Sequence, residues 1–572
     1  MWNSNGSGTF GQTTVSSGTL AVDGLLFSPV SVNSGGVLAG RGTITGAVSA
    51  AGTIAPGAAA PFSTLTVQGN VDFTSGSFYR VNIGAAGQND KLQLAGGGAA
   101  NLSGGTVNVL APNGFALSTP YTILTATGGL GGTTFSGVTS SFASAFITPS
   151  LTYDANNVFL TLALLNNGGG TGFGFAGAAQ TPNQIAVATA LDAGPQTSSL
   201  IAVVLTQAIA GARQAFDALS GEIFGSLHNA QAEVAQFARS GMLGRMRQIS
   251  YAGLPGELGA LGFGGPQLAY ASGDVYAADL PVKAAPNVRE TSRDTGRDLT
   301  FWAQGLGGWG RTDGDGNAAS LSSRFGGFLS GADARFGDTL RAGLVAGYVR
   351  SDVDVAARAS SAGIDSVQLG AYAAGRLGAF NLRGGASWSF DSIDTSRGIF
   401  FPGFTDKAKA SFHGNVGQVF GEVGYGMAFN RVAVEPLVGL AYVHLRDGSF
   451  LESGGIAALS GSSAKDNIGY SWLGVRAASA VPLANGTVLV PRATLQWQHA
   501  FGDVTPNAAL AFQATGTAFT VAGIPIARDA ALVEAGFEWR FSPSARLGAF
   551  YQGELAAHAQ THAVKGAFTW GF

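Results

Sequence analysis

Six histidines, His228, His413, His444, His499, His558 and His562, are the first candidates for metal or acid–base chemistry. They form no i, i+4 pair on a helical stretch and show no clustered ligand spacing, so isolated structural histidines are the better reading. "GLGGWG" spells G-x-G-x-x-G at Gly305, Gly307 and Gly310, but no helix follows to receive a pyrophosphate. "DGDGN" at 313–317 begins like a calcium loop, yet Ala318 stands where the sharp-turn glycine belongs and Arg324 where the bidentate glutamate belongs. No serine lies in G-x-S-x-G, which removes a nucleophile elbow. The absence of cysteine removes thiol nucleophiles, disulfides and cysteine-ligated zinc together. Residues 1–170 hold neither histidine nor glutamate. The chain is therefore read as non-enzymatic, with no catalytic residue, no cofactor and no metal. A net charge of −3 gives no reason to expect nucleic acid.

The charges that remain fall into two groups. Arg239, Arg245 and Arg247 end an amphipathic stretch in which Phe216, Leu219, Ile223, Leu227, Ala230, Val234 and Phe237 recur at helical spacing. Cations suit the C-terminal end of a helix. A second set lies far downstream on alternating segments: Glu435, Arg492, Glu534, Glu538, Arg540, Gln552, Glu554 and Lys565. Carboxylates among them, Glu534 and Glu538 foremost, are expected to meet the three helix arginines. That requires elements able to bring residues some 200 positions apart to one place.

Composition narrows those elements. Mean hydropathy is +0.23 and only 11% of residues are charged, yet no apolar run approaches the ~18 residues of a transmembrane helix. Apolar residues are instead interleaved at period two, the pattern of strands. Over 1–170 the runs are short and punctuated by Gly, Ser and Asn, with seven charged residues: Asp23, Arg41, Asp72, Arg80, Asp90, Lys91 and Asp154. Such strands bury a face only when stacked coil on coil, which predicts a parallel β-solenoid of roughly 6–8 coils at ~20–25 residues each. Residues 185–248 are the helical segment, 249–297 a Gly/Pro-rich linker, and 298–572 a third region of longer strands.

Twelve such strands can be counted, each of the ten or so residues that a tilted strand needs to cross a bilayer. "VEAGFEWRF" sends Val533, Ala535, Phe537, Trp539 and Phe541 one way and Glu534, Glu538 and Arg540 the other. Loops alternate long and short, the long ones including "DTSRGIFFPGFTDKAKASFHGN" and residues 502–530. Long and short ends on opposite sides, with aromatics near strand ends, predict a twelve-stranded antiparallel transmembrane barrel. The final strand puts Phe568, Trp570 and Phe572 on one face, where only lipid would cover them.

Region 301–572, opening on "FWAQGLGGWG" and closing on "GAFTWGF", resembles the translocator barrel of autotransporters, the type V secretion proteins. "AFDALSGEIFGSLHNAQAEVAQFARSGMLGRMRQ" resembles the helical segment that precedes that barrel. "GTFGQTTVSSGTLAVDG" and "GVLAGRGTITGAV" are similar to autotransporter-associated β-strand repeats. The resemblance implies a right-handed parallel β-helix passenger at the cell surface, a helix in the lumen and a barrel in outer-membrane lipid. It also implies that Phe568, Trp570 and Phe572 are the signal read by the barrel assembly machinery. Some members cleave themselves at an Asn-Asn pair in the helix. Here Asn156–Asn157 and Asn166–Asn167 fall outside it, and no such cleavage is expected at either. The start "MWNSNGSGTF" has neither a basic n-region nor an apolar h-region, so the chain is read as the downstream part of a longer precursor. A monomer is expected, its passenger structural or adhesive toward host or cell-surface ligands. The alternatives are a porin-like channel with an accessory domain and a soluble β-solenoid carbohydrate-active protein.

Overall fold

A strand two to nine residues long cannot bury a face alone, and the first part of the chain solves this by stacking. The computed structural model describes residues 11–142, 144–165, 174–195, 197–248, 299–337, 339–429, 432–542 and 544–571. The linker expected over 249–297, the Asn166–Asn167 pair and Phe572 lie outside them. The chain divides into two units: Met1–Gln180 with Ala188–Ala215 and Phe401–Phe404, and Thr181–Val187 with Phe216–Phe400 and Thr405–Phe572.

In the first unit, successive coils contribute strands to three sheets. Interior positions stack like on like. Val15, Val32, Ala50 and Phe73 form one column, and Leu20, Leu38, Ile54, Tyr79, Val107 and Val138 a second. Leu26, Ile44, Val67, Leu94 and Ala126 form the third. Their central members are fully buried, whereas Leu20, Leu26 and Val138 at the ends are half-buried. Each coil thus depends on its neighbours for its core.

The coils are less regular than their sequence spacing suggests. The first sheet has five parallel strands, and paired positions run Thr13, Val30, Val48, Val71 and Ala100, giving steps of 17, 18, 23 and 29 residues by subtraction. The extra residues enter corner loops, such as that between Thr53–Ala55 and Thr64–Val67. Ile147–Tyr153 and Asn157–Leu164 then pair antiparallel and end the third sheet. Asn156–Asn157 sits in the turn joining them, where Asp154 Oδ1 accepts from the backbone N–H groups of both residues at 2.7 and 2.6 Å.

One corner loop is fixed by a buried carboxylate. Asp90 is fully buried; its Oδ1 accepts from Ser63 N at 3.0 Å and its Oδ2 from Asn82 N and Nδ2 at 2.9 and 2.7 Å. Gly57 lies against it, so that an added Cβ would come within 2.1 Å of Oδ1.

The second unit contains twelve long strands: Leu299–Thr312, Leu321–Phe336, Leu340–Val355, Ser360–Leu377, Phe380–Phe401, Phe404–Tyr425, Val432–Asp447, Ala464–Ser479, Val488–Gly502, Asp529–Arg540, Ala545–Leu555 and Ala559–Gly571. Each neighbours the next, and the last pairs antiparallel with the first, Trp570 opposite Phe301 and Phe568 opposite Ala303. The sheet is therefore closed and exposes no edge. Alternation sorts the faces. In the seventh strand Ala433, Glu435, Leu437, Ala441 and Val443 are buried, whereas Val432, Val438, Leu440 and Tyr442 are exposed outside. An apolar outer face around a closed sheet is a lipid-facing surface.

Three long loops differ from their sequence reading. "DTSRGIFFPGFTDKAKASFHGN" is mostly strand. Alternation continues through Ile393, Thr395, Arg397, Ile399 and Phe401, all buried, and the chain turns at Pro402–Gly403, where Gly403 has φ 74°. Loops 448–463 and 503–528 pair with each other as a four-stranded sheet of Phe450–Leu451, Leu459–Gly461, Asn507–Phe512 and Ala518–Ala522.

Among the described residues, four α-helices precede the barrel: Pro182–Asp192, Ser199–Leu205, Ile209–Leu219 and Ile223–Arg247. The apolar stripe from Phe216 to Phe237 belongs to two of them, because Gly221 adopts φ 64° and breaks the helix.

Burial raises the Asp90 pKa above its ordinary 3.8, against the pull of the N–H groups that donate to it. The folded state therefore holds this proton more tightly than the unfolded chain. Its contribution to stability is fully present below 3.8 and is lost as pH rises through the raised folded value. Thermal unfolding of the solenoid between pH 3 and 7 should show this slope, and Asp90→Asn should flatten it; equal slopes would refute the assignment. Gly57→Ala, forced against the same carboxylate, should cost about 1–3 kcal/mol in solenoid stability.

Candidate functional site

A closed twelve-stranded sheet encloses space that must be filled, and Ile223–Arg247 fills it. Of its 25 residues, 21 are buried and none is exposed. Its side chains or backbone meet Gln304, Ser323, Asp391, Gln418, Asp447, Asp466, Gln498, Glu554 and Thr561, residues of nine different barrel strands. A helix touching so much of the circumference lies inside the barrel. At 1.5 Å per residue it is about 37 Å long, enough to span a bilayer.

Its contacts change character along that length. At the long-loop end, His228 Nδ1 lies 2.5 Å from Asp466 Oδ2 and its Nε2 lies 3.2 Å from Asp447 Oδ2. Gln231 Nε2 donates to Asp391 and Asp447 at 3.1 and 3.0 Å. Glu233 accepts from Ser323 Oγ and Thr561 Oγ1 at 2.9 and 2.7 Å. Midway, Gln236 donates to Glu554 at 2.7 Å. Arg239 donates to Gln418 Oε1 at 2.9 Å, with its guanidinium 5.0 Å from the Tyr470 ring centroid. Gly241 passes so close to the wall that a Cβ would meet Leu329 Cδ1 at 2.7 Å.

Toward the short-turn end the helix is pinned by ion pairs. Arg245 forks onto Asp333 at 2.6 and 2.8 Å. Asp333 is fully buried on its side chain and also meets Arg341 and Tyr372. Arg247 forks onto Glu422, Nε to Oε1 at 2.9 Å and Nη2 to Oε2. Trp472 Nε1 and Arg383 also donate to Glu422, at 3.0 and 2.7 Å. Such forks match guanidinium to carboxylate geometry on two atoms at once.

The charged residues singled out from sequence are distributed through this lumen. Glu435 pairs with Arg383 and Arg476. Lys565 pairs with Glu534 at 3.0 Å, and Glu538 with Arg492 and Arg546 at 3.1 Å each and Arg540 at 3.8 Å. Gln552 donates to Ser240 and Glu554 accepts from Gln236. Glu534 and Glu538 are not the partners of the helix arginines: Asp333, Glu422 and Gln418 are. Wall alternation carried the signal for all three, since they share their strands' buried face with Leu329 and Phe420. Asp447 and Asp466 carried the same signal, sharing their strands' buried faces with Val443 and Ile468, but nothing local pointed to His228 as their common partner. Phe568 and Trp570 lie on the outer face, both exposed.

Removing one member of a buried pair leaves an uncompensated charge and costs about 3–5 kcal/mol. Asp333→Ala, which removes the carboxylate that both Arg245 and Arg341 engage, should speed amide exchange across the second half of the helix by about a hundredfold or more. Asp313→Ala, which breaks the exposed Arg311–Asp313 pair, should leave it unchanged. Equal exchange in both variants would show that the helix is not held by these pairs.

Residues 301–552 match the autotransporter beta-domain family. Two proteins of Serratia marcescens, each named extracellular serine protease, are 32% and 29% identical to this chain, covering 99% of it and 54% of their own length. The chain thus spans about half the length of the curated relatives it matches. The translocator domain of the autotransporter NalP from Neisseria meningitidis is 21% identical over 49% of this chain and 90% of its own, with a TM-score of 0.40. The beta domain of the Bordetella autotransporter Brka is 15% identical over 48% of this chain and 100% of its own, with a TM-score of 0.37. The two Serratia proteins overturn the reading of this chain as non-enzymatic. That reading weighed residue types within this chain, which spans only about half the length of the proteins named as proteases. Family match and geometry agree on the second unit: residues 301–552 match an autotransporter beta-domain, and they lie in a closed barrel with an apolar outer face and a helix in its lumen.

Proposed function

We propose that this chain is the carrier and membrane anchor of a surface serine protease. The similarity along 99% of the chain to two extracellular serine proteases is the observation that carries this reading. In it, residues 1–170 form passenger scaffold, 185–248 the segment that ends in the lumen, 249–297 a linker and 298–572 the translocator. The ion pairs of Arg245 and Arg247 favour a helix that stays seated and tethers what precedes it. An occupied lumen argues against an open porin-like channel. The chain acts as a monomer, since one copy closes its own barrel.

Insertion depends on the last strand. Phe568 and Trp570 present aromatic rings outward beside the seam with the first strand, a surface that the barrel assembly machinery can read.

Intact cells producing the protein should degrade an unstructured substrate such as casein, and a serine-directed sulfonyl fluoride should abolish this. Added trypsin should release solenoid fragments from the same cells and leave the barrel behind. Casein left intact while trypsin releases the solenoid would sink the protease reading and keep the carrier reading. Deleting Phe572, or Trp570→Ala, should lower the heat-modifiable barrel in the outer membrane several-fold; unchanged insertion would remove these residues from assembly.

A further inference from the structure

The outer face of the barrel changes character near the long-loop end, most clearly on the sixth, seventh and eighth strands. On the seventh, Val438, Leu440 and Tyr442 are exposed, and Val419 and Leu473 continue this apolar band on its two neighbours. Tyr442, opposite Val419, ends the band as an interfacial aromatic does, with its hydroxyl donating to Asn467 Oδ1 at 2.7 Å.

Beyond Tyr442 the outward positions turn basic. Arg446 and Lys465 stand directly opposite each other, and Asn415 of the sixth strand lies on the other side of Arg446. Lys409 and Lys407 follow on the sixth strand, six and eight residues past Asn415 by subtraction. All four cations are exposed, and among the described residues none makes a hydrogen bond or ion pair through its side chain. The carboxylates of these strands face elsewhere. Asp447 and Asp466 meet His228 in the lumen, and Asp406 accepts from Ala457 N at 2.9 Å. Asp503, just past the ninth strand, is engaged by Asn467, whose N–H it accepts at 2.9 Å. The third to fifth strands are the reverse: Asp352, Asp354, Asp365 and Asp394 face outward there, and Arg350 pairs with Asp352 and Asp365. Charge on the rim is thus sorted by strand, and holding Arg446 beside Lys465 costs stability.

Height above the lipid identifies what can offset that cost. Arg446 lies four residues beyond Tyr442, about 13 Å along the strand, and Lys409 stands about 20 Å farther along. A tilt of ~40° leaves roughly 10 and 25 Å above the tyrosine. A phospholipid headgroup layer is only ~5–8 Å thick. The anions that meet these side chains are therefore carried well above the hydrocarbon boundary.

We propose that the outer face of these three strands binds a polyanionic glycolipid of the surface leaflet, whose sugars bear phosphoryl or carboxylate groups. Its acyl chains lie on Leu440 and Leu473, its inner anions meet Arg446 and Lys465, and its outer sugars meet Lys409 and Lys407. Guanidinium and ammonium groups both recognise such oxygens. A lone mobile anion gains little at an exposed cation, whereas several anions on one scaffold bind together. The inference rests on the reading of this barrel as a membrane anchor.

The full chain, folded in a non-ionic detergent, is titrated with deep-rough lipopolysaccharide and separately with phosphatidylglycerol, each followed by native mass spectrometry. Saturable binding of the lipopolysaccharide is expected. Arg446→Glu with Lys465→Glu should weaken it about tenfold or more, and Lys407→Glu with Lys409→Glu several-fold. Arg324→Glu, the same reversal on the second strand, should leave it unchanged. Phosphatidylglycerol, whose charge lies below all four side chains, should respond to none of these variants. Should a double variant not fold, Lys465→Gln alone is expected to weaken lipopolysaccharide binding several-fold. Heat-modifiable gel mobility and insertion into phosphatidylcholine liposomes separate the two readings. A chain that fails both is no membrane anchor, and the site falls with it. A chain that passes them and ignores the lipopolysaccharide keeps its barrel and loses the site. Equal lipopolysaccharide binding by the patch variants and Arg324→Glu, or phosphatidylglycerol binding that falls in step with it, would overturn the proposal.

Discussion

A sheet in lipid has nowhere to leave an unpaired backbone group, and this constraint organises the second unit. Water cannot satisfy a free edge within hydrocarbon, so the strands must close. Closure comes from the pairing of Leu299–Thr312 with Ala559–Gly571, the two most distant strands in the sequence. Until it forms, every other pairing leaves two edges exposed. The requirement also fixes the faces, because residues that alternate around a closed sheet have only lipid or lumen to meet. The apolar rings of Phe301, Phe568 and Trp570 at the seam are therefore part of the same solution as its hydrogen bonds.

Closure creates a lumen, and the lumen sets the terms for the helix. Phe224 and Phe237 pack on Phe450 and Phe325, and its other apolar contacts include small or flexible side chains, Ala232, Ala235, Ala238, Met242 and Met246, near Trp302, Leu329, Tyr372 and Trp472. These last supply burial with little positional preference. The ion pairs do the reverse. Buried pairs add little net stability over apolar substitutes but penalise mispairing heavily. A slip of one helical turn, about 5.4 Å, would move Arg245 off Asp333, Arg247 off Glu422 and His228 from between Asp447 and Asp466 together. Apolar burial holds the helix in, and charge sets where along the lumen it rests.

This division explains what could be read from the sequence. Strand alternation is local, so the twelve strands and the polarity of each face follow from a few consecutive residues such as Val533–Phe541. The stacked columns of the solenoid are local in the same way. Partnership across the lumen is not. Arg247 and Glu422 are 175 residues apart, and any wall carboxylate at the right depth would have served a sequence reading equally well. Composition also misled at "DTSRGIFFPGFTDKAKASFHGN". Ser, Gly, Pro and Lys suggest a loop, but the inward series Ile393, Thr395, Arg397, Ile399 continues the strand beyond the lipid-facing band, with Arg397 forking onto Glu452. The helix break at Gly221 was hidden because the stripe on either side keeps its phase. Function was legible only in part. The barrel points to delivery, whereas the proposed protease cargo rests on similarity to two longer proteins.

The two halves of the chain also differ in a way that serves a delivery protein. Residues 1–170 hold seven charged side chains, whereas Arg239, Arg245 and Arg247 crowd three into nine positions. The solenoid strands gain their burial only by stacking on neighbouring coils. The helix is built the other way: it carries charges at the depths where Asp333 and Glu422 stand, and no residue of it is exposed inside the barrel. One segment is buried by its own repeats and the other by a polar wall, and that difference follows from where a few arginines fall in the sequence.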